Sequence, residues 1–161
     1  MQLTILVDNL ANAELRSEHG LSFLVETGAG SVLFDTGQSD AWFSNLKSLG
    51  LDPGAIKAVA ISHGHYDHTG GLIKALTELT NARFHAHPAC FEPKYAAGAA
   101  EIRYIGMPSE VVSRKNAFEL NRSPVGILPD VVLSGEIPLR VEVGMSDRFV
   151  TGHDKLTHDT F

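Results

Sequence analysis

The stretch "ISHGHYDHTGG", residues 61–71, places three histidines and an aspartate within the six positions from His63 to His68 and flanks them with serine and glycine. Before it runs "AVAIS", residues 58–62, whose near-continuous apolar character is that of a strand buried on both faces. After it, "GGLIKALTEL" sets Leu72, Ile73, Leu76 and Leu79 on one face of a helix. The motif therefore occupies a strand-to-helix loop at the carboxyl end of a buried strand, where α/β sheets converge side chains on their ligands. Gly64, lacking a Cβ, lets the chain turn tightly enough for the imidazoles of His63 and His65 to approach one point. Asp67 and His68 then present an oxygen and a nitrogen to a second ion. Imidazole with carboxylate suits zinc, and also iron or manganese at a more oxygen-rich centre. The competing reading makes these solvated loop histidines with Asp67 as a helix cap. Four ligand-type residues in six positions at such a junction favour the metal.

Working outward, "LTILVD" and "LSFLVET" are β-rich, and "GAGS" connects the second run to "VLFDTG", so residues 21–35 read as a hairpin. "SDAWFSNLKSLG" is an amphipathic helix with Ser39 or Asp40 as cap, Trp42, Phe43, Leu46 and Leu49 as its apolar face, and Gly50 as its stop. "DPGAIK" is a short turn and "ARFHAH" the next strand. The alternation of strand and helix from residue 30 predicts a mixed sheet of α/β or α+β class with helices outside. "SEVVSRKNAFEL" reads as helix or irregular insertion and "DVVLSG" as a strand, while "GMSDRFVTGHDKLTHDTF" has no periodicity.

Composition narrows the function. The chain has 161 residues, 43% of them hydrophobic, enough for one domain with a buried core. A net charge of −6 without a lysine or arginine cluster argues against nucleic acid and anionic membrane as partners. The single cysteine, Cys90, excludes an internal disulfide and suits a reducing compartment. "MQLTILVDNL" lacks a basic leader region, and no apolar run approaches the roughly 20 residues that span a bilayer. A cytoplasmic protein acting on a small molecule is expected.

"HGHYDH", read as His-x-His-x-Asp-His, resembles the signature of the metallo-β-lactamase superfamily, with "LFDTG" at 33–37 as its upstream companion. "EHGLSFLVETG", "VLFDTG", "ISHGHYDHTGG" and "VVLSGEIP" together are similar to one branch, whose members are named metal-dependent hydrolases and, in some cases, the synthase joining a dihydropterin to ribofuranosyl-aminobenzene phosphate. The resemblance covers residues 1–90 and, more loosely, extends to 138. It implies a four-layer αββα sandwich with a one- or two-metal site at one edge of its paired sheets. His63 and His65 would hold the first metal, Asp67 and His68 the second, with zinc expected and manganese or iron as alternatives. Asp35 would lie beneath as a group that orients ligands, its other reading being a turn-forming aspartate ahead of Gly37. The implied activity is hydrolysis of a small-molecule ester, lactone, thioester or phosphoester by metal-activated water, with Asp67 orienting the nucleophile or taking its proton. The alternatives are a pterin-linked transferase or synthase, and a catalytically silent, truncated metal-binding chain.

A catalytic zinc normally has three protein ligands plus water, and the motif supplies two per metal. The superfamily adds a later histidine and a bridging carboxylate, and in this branch a "GCSH"-like segment, which the sequence lacks. Residues 1–161 are therefore expected to form a single metallo-β-lactamase-like domain lacking much of its second half, with exposed apolar surface and a tendency to self-associate. His85 and His87, at the end of one strand and on one side of it, are candidate substitutes or structural histidines. His153, Asp154, His158 and Asp159 are a polar tail or late donors. His19 fits a loop lining the pocket, Glu18 a surface charge, and Cys90 a small core residue.

Overall fold

The computed structural model describes residues 1–12, 14–97, 101–137, 149–152 and the backbone of 157–158. In chain order the strands are β1 (Gln2–Val7), β2 (Ser22–Thr27), β3 (Gly30–Phe34), β4 (Ile56–Ala60), β5 (Arg83–Ala86), β6 (Lys94–Ala97), β7 (Ile102–Tyr104), β8 (Phe118–Leu120), β9 (Val125–Leu128), β10 (Val131–Leu133), β11 (Phe149–Thr151) and β12 (Thr157–His158). The helices are α1 (Ala41–Ser48), α2 (Tyr66–Thr69), α3 (Leu72–Glu78) and α4 (Ser109–Val112). Six strands form a mixed sheet in the order β1-β2-β3-β4-β5-β8, antiparallel through β3 and parallel from β3 to β8. A second sheet, β12-β11-β6-β7, is antiparallel throughout, and β9 with β10 makes a separate hairpin.

The expected hairpin over residues 21–35 closes through the two-residue loop Gly28-Ala29, with Thr27 opposite Gly30. Thr27 Oγ1 fixes that loop, donating to the Gly30 carbonyl at 2.9 Å and accepting from the Ala29 N–H at 3.1 Å. Strand β4 is apolar as a central parallel strand must be, because both of its faces are covered. Val59 joins Trp42, Phe43 and Leu46 of α1, Leu72 and Ala75 of α3 and Val111 of α4 in the main core. Ala58 and Ala60 face the other way, onto a smaller core with Val32 and with Ile127 of the β9–β10 hairpin. The sheet is thus sandwiched between helices and further β-structure, and its class is the mixed α/β one expected. Among the described residues, no helix is long and apolar enough to cross a membrane.

Three local readings are corrected. Leu49 is not on the buried face of α1: the helix ends at Ser48, Leu49 is exposed, and Gly50 follows with φ +69°. Asp40 occupies the cap position without capping, since its carboxylate is spent on Arg16 at 2.8 Å while Ser39 Oγ accepts from the Ala41 N–H at 3.2 Å. "SEVVSRKNAFEL" is neither one helix nor irregular. It splits into α4, a 3₁₀ turn over Lys115–Ala117 and edge strand β8, where Phe118 packs into the main core.

Candidate metal centre

Two strand ends build the site. Leaving β4, Ile61 still donates its N–H to the His85 carbonyl at 3.0 Å, so the chain stays flat until Ser62. Leaving β3, Asp35 donates its N–H to the Ala60 carbonyl at 3.0 Å, and the Thr36 N–H and Oγ1 reach the His68 carbonyl at 2.9 and 3.0 Å. Asp35 is fully buried and adopts φ +58°, the one positive φ of a non-glycine residue among those described. Such a backbone costs on the order of 1 kcal/mol or more and persists where its surroundings over-determine it. Here three donors do so: the Asp35 carboxylate accepts from the Ser62 N–H at 2.8 Å, from Ser62 Oγ at 2.6 Å and from His68 Nδ1 at 2.7 Å.

That carboxylate sets the tautomers above it. Ser62 Oγ gives its proton to Asp35, so its oxygen accepts from His63 Nδ1 at 2.9 Å, which leaves His63 Nε2 with a lone pair. The lone pair faces His65 Nδ1 at 3.1 Å. His68, having donated through Nδ1 to Asp35, turns its Nε2 toward Asp67 Oδ2 at 3.7 Å. The rings of His63 and His68 stand 4.1 Å apart and those of His63 and His65 4.6 Å, so His63 is in ring contact with both other motif histidines.

The donor chemistry fits a divalent transition metal. Zinc–nitrogen bonds of about 2.0–2.1 Å in a tetrahedron put neighbouring nitrogens about 3.3 Å apart, close to the His63–His65 separation. Burial, reinforced by the neighbouring His68 and His65, lowers the His63 pKa to about 4, so it is neutral and available as a ligand at neutral pH. For His68 burial acts in the lowering direction, but the hydrogen bond to Asp35 and the charges of Asp35 and Asp67 outweigh it and hold the pKa above its ordinary value. Among the described residues, no three histidine, cysteine, aspartate or glutamate side chains close on one point, so the donors come as two pairs.

Several placements differ from the sequence reading. Asp67 and His68 lie in a turn of helix, α2, rather than in an open loop. Gly64 is needed for close approach rather than for an unusual turn: a Cβ there would collide with the Cys90 carbonyl. Glu18 is no mere surface charge, because Oε1 accepts the N–H groups of Gln38 and Ser39 at 2.9 and 3.0 Å and tethers the start of α1. His19 reaches the centre from the loop before β2, with Nε2 3.2 Å from Asp67 Oδ2 and Nδ1 3.0 Å from Asn9 Oδ1. His85 and His87 make contacts of their own: His85 is 1% exposed beside Asn121, and His87 Nδ1 accepts the Ala89 N–H at 3.2 Å. Cys90 is buried. His153, Asp154 and Asp159 lie outside the described residues, and of His158 the backbone alone is described, as part of β12. The residue missed was Ser62, which couples His63 to Asp35; its signal was a lone hydroxyl between the apolar strand and the first histidine. The motif is also reached by the segment after β7, through an isolated bridge between His65 and Gly106, and by the second sheet, through the Phe149 ring of β11, 5.6 Å from that of His65.

The model of the metallo-beta-lactamase superfamily matches residues 16–159. The chain belongs to that superfamily. A crystal structure described as a metal-dependent hydrolase of the beta-lactamase superfamily superposes with a TM-score of 0.76 and 32% identity, over 99% of this chain and 57% of that one. An uncharacterized protein of Methanocaldococcus jannaschii is 33% identical over 149 residues, 90% of this chain and 57% of its own length. The 7,8-dihydropterin-6-methyl-4-(β-D-ribofuranosyl)-aminobenzene-5'-phosphate synthase of the same organism is 29% identical over 156 residues, 90% of this chain and 53% of its own length. This superfamily member thus spans about half the length of the curated relatives it matches.

Proposed function

We propose that this chain carries the motif-bearing half of a metal-dependent hydrolase acting on a small-molecule ester, lactone, thioester or phosphoester. The observation that carries the reading is the pair of donor pairs, His63 Nε2 with His65 Nδ1 at 3.1 Å and Asp67 Oδ2 with His68 Nε2 at 3.7 Å, oriented from beneath by one buried carboxylate. His63 and His65 would hold one ion, Asp67 and His68 a second, with zinc the expected metal and manganese or iron the alternatives. A metal held there would supply Lewis acidity and bring a water's pKa down toward neutrality. The residues do the rest. Asp35 fixes the ring of His68 directly and that of His63 through Ser62, so that His63 Nε2 is turned to His65 and His68 Nε2 to Asp67. Asp67, close to His68 and to His19, is the carboxylate placed to orient the nucleophile or take its proton. A cytoplasmic setting suits a chain whose single cysteine is buried.

The likeness to a relative named as a synthase supports a second reading, in which the same centre serves group transfer involving a pterin. The third is a silent metal-binding chain, since the described residues offer each metal two donors. Elemental analysis after mild dialysis tests the shared premise: wild type should retain divalent metal and the double variant His63→Ala, His65→Ala should lose it. Equal metal in both refutes the centre. Chelator-sensitive turnover of phosphodiesters, lactones or thioesters, against turnover of a pterin diphosphate donor, then separates hydrolase from synthase; absence of both leaves the silent chain.

A further inference from the structure

Beside the candidate metal centre, on the opposite face of the sheet from the helices, lies a cavity of about 360 Å³ between the ends of β3, β4 and β5 and the β9–β10 hairpin. Its volume is within the range of small-molecule sites. Phe34, Ile61 and Leu133 give it apolar walls, and Ser62, which fixes His63, lies on its border. Inside it, His85 Nε2 is buried with no hydrogen-bond partner among the described residues, on a side chain 1% exposed. Leaving such an atom unpaired costs about 1–3 kcal/mol, which a ligand group can recover.

The neighbours of His85 decide what that group must be. Nδ1 faces Asn121 Oδ1 at 3.2 Å and Glu119 Oε2 at 3.7 Å, both acceptors, so the geometry assigns the donating N–H to Nδ1. Nε2 is therefore an acceptor and wants a donor. Also at the rim, the Glu136 carboxylate is an acceptor, with Arg122 Nη1 3.4 Å and His87 Nε2 3.6 Å from it. Apolar walls, with the His85 Nε2 and Glu136 acceptors at one end, suit a flat, uncharged ring bearing N–H groups.

We infer that this cavity is a binding subsite for an uncharged amino-substituted heterocycle, held by an N–H donated to His85 Nε2, next to the metal pairs. That the ring belongs to the substrate rests on the reading of the centre as catalytic; that the cavity binds it does not. The test uses chelator-treated protein and the fluorescence of 2-aminopurine, with 9-methylpurine as a competitor of similar shape without N–H groups and benzoate as an anionic one. Saturable quenching is expected, with 9-methylpurine at least about tenfold weaker, the worth of one hydrogen bond, and benzoate inert. His85→Leu should weaken 2-aminopurine about tenfold, and His85→Gln, which keeps an acceptor, should restore part of it. Leu133→Trp, which fills the cavity from the hairpin, should abolish binding, and covers the case in which the His85 variants do not fold. Absence of saturable binding, equal binding of the two purines, or undiminished binding by folded Leu133→Trp overturns the inference. Turnover without purine binding sinks the subsite alone, whereas binding without turnover sinks the hydrolase reading alone.

Discussion

Asp35 is the residue on which the centre turns. It is buried, left-handed in backbone, and saturated by Ser62 and His68. Asn tolerates positive φ nearly as well as Asp, so Asp35→Asn should fold while losing the charge that holds two imidazoles in place. Zinc affinity, measured by competition with a chromophoric chelator, should fall about 10–100-fold; an unchanged affinity would show that Asp35 serves the turn alone. His63 and His68 give opposite pH signatures in the metal-free protein. The folded chain refuses a proton at His63 until about pH 4, whereas the unfolded chain takes it near 6.5, so this contribution is present at neutral pH and fades as the pH falls from 6.5 to 4. His68, raised in the fold, contributes below 6.5 and loses its share as the pH rises through its folded value. Denaturant titrations with chelator at pH 4.5 and 6.5 should therefore show a smaller loss on acidification in His63→Gln than in wild type. Equal losses would refute the burial of a neutral His63.

At the scale of elements, the motif loop is held by backbone packed against backbone. Gly64 lies against the Cys90 carbonyl, in the 3₁₀ turn after β5, so that turn sets how closely His63 and His65 can converge. Gly64→Ala should cost roughly 2–3 kcal/mol and lower the melting temperature by about 5–10 °C. Gly126→Ala, where a Cβ meets nothing within 4 Å, is the control and should melt close to wild type. If the two variants melted alike, close approach would not be what Gly64 provides. The same loop marks how far the sequence could be read. The buried strand, the following amphipathic helix and the ligand types were legible because each is a local pattern of residues 58–79. The turn of helix that carries Asp67 and His68 was not, because it is fixed by the Tyr66 N–H donating to the Ile105 carbonyl at 2.9 Å, a partner far along the chain.

At the scale of the molecule, the main sheet is unevenly covered. The β9–β10 hairpin packs over Val32, Ala58 and Ala60, but on edge strand β1 Leu3 and Ile5 remain 59% and 51% exposed, opposite Val25 and Phe23 of β2. An apolar face on an edge strand invites another chain. The protein should self-associate, with mass by light scattering rising with concentration, and the double variant Leu3→Lys, Ile5→Lys should shift it toward monomer. A monomeric wild type at high concentration would mean that this face is tolerated as it stands.

By itself the sequence determined the things that depend on near neighbours: the strand–loop–helix unit, the hairpin over residues 21–35, and the clustering of His63, His65, Asp67 and His68 at one strand end that makes them candidate donors. Hydrophobic period and residue type report these because they are set within a turn or a strand. Tertiary structure decided what depends on distant partners: that Ser62 links His63 to Asp35, that His19 comes within 3.2 Å of Asp67, and that His85 lines a cavity with a nitrogen unpaired among the described residues. Register explains the last. His85 pairs beside Ala60, on the sheet face away from the helices, and no local pattern states which face a neighbouring strand turns toward the site.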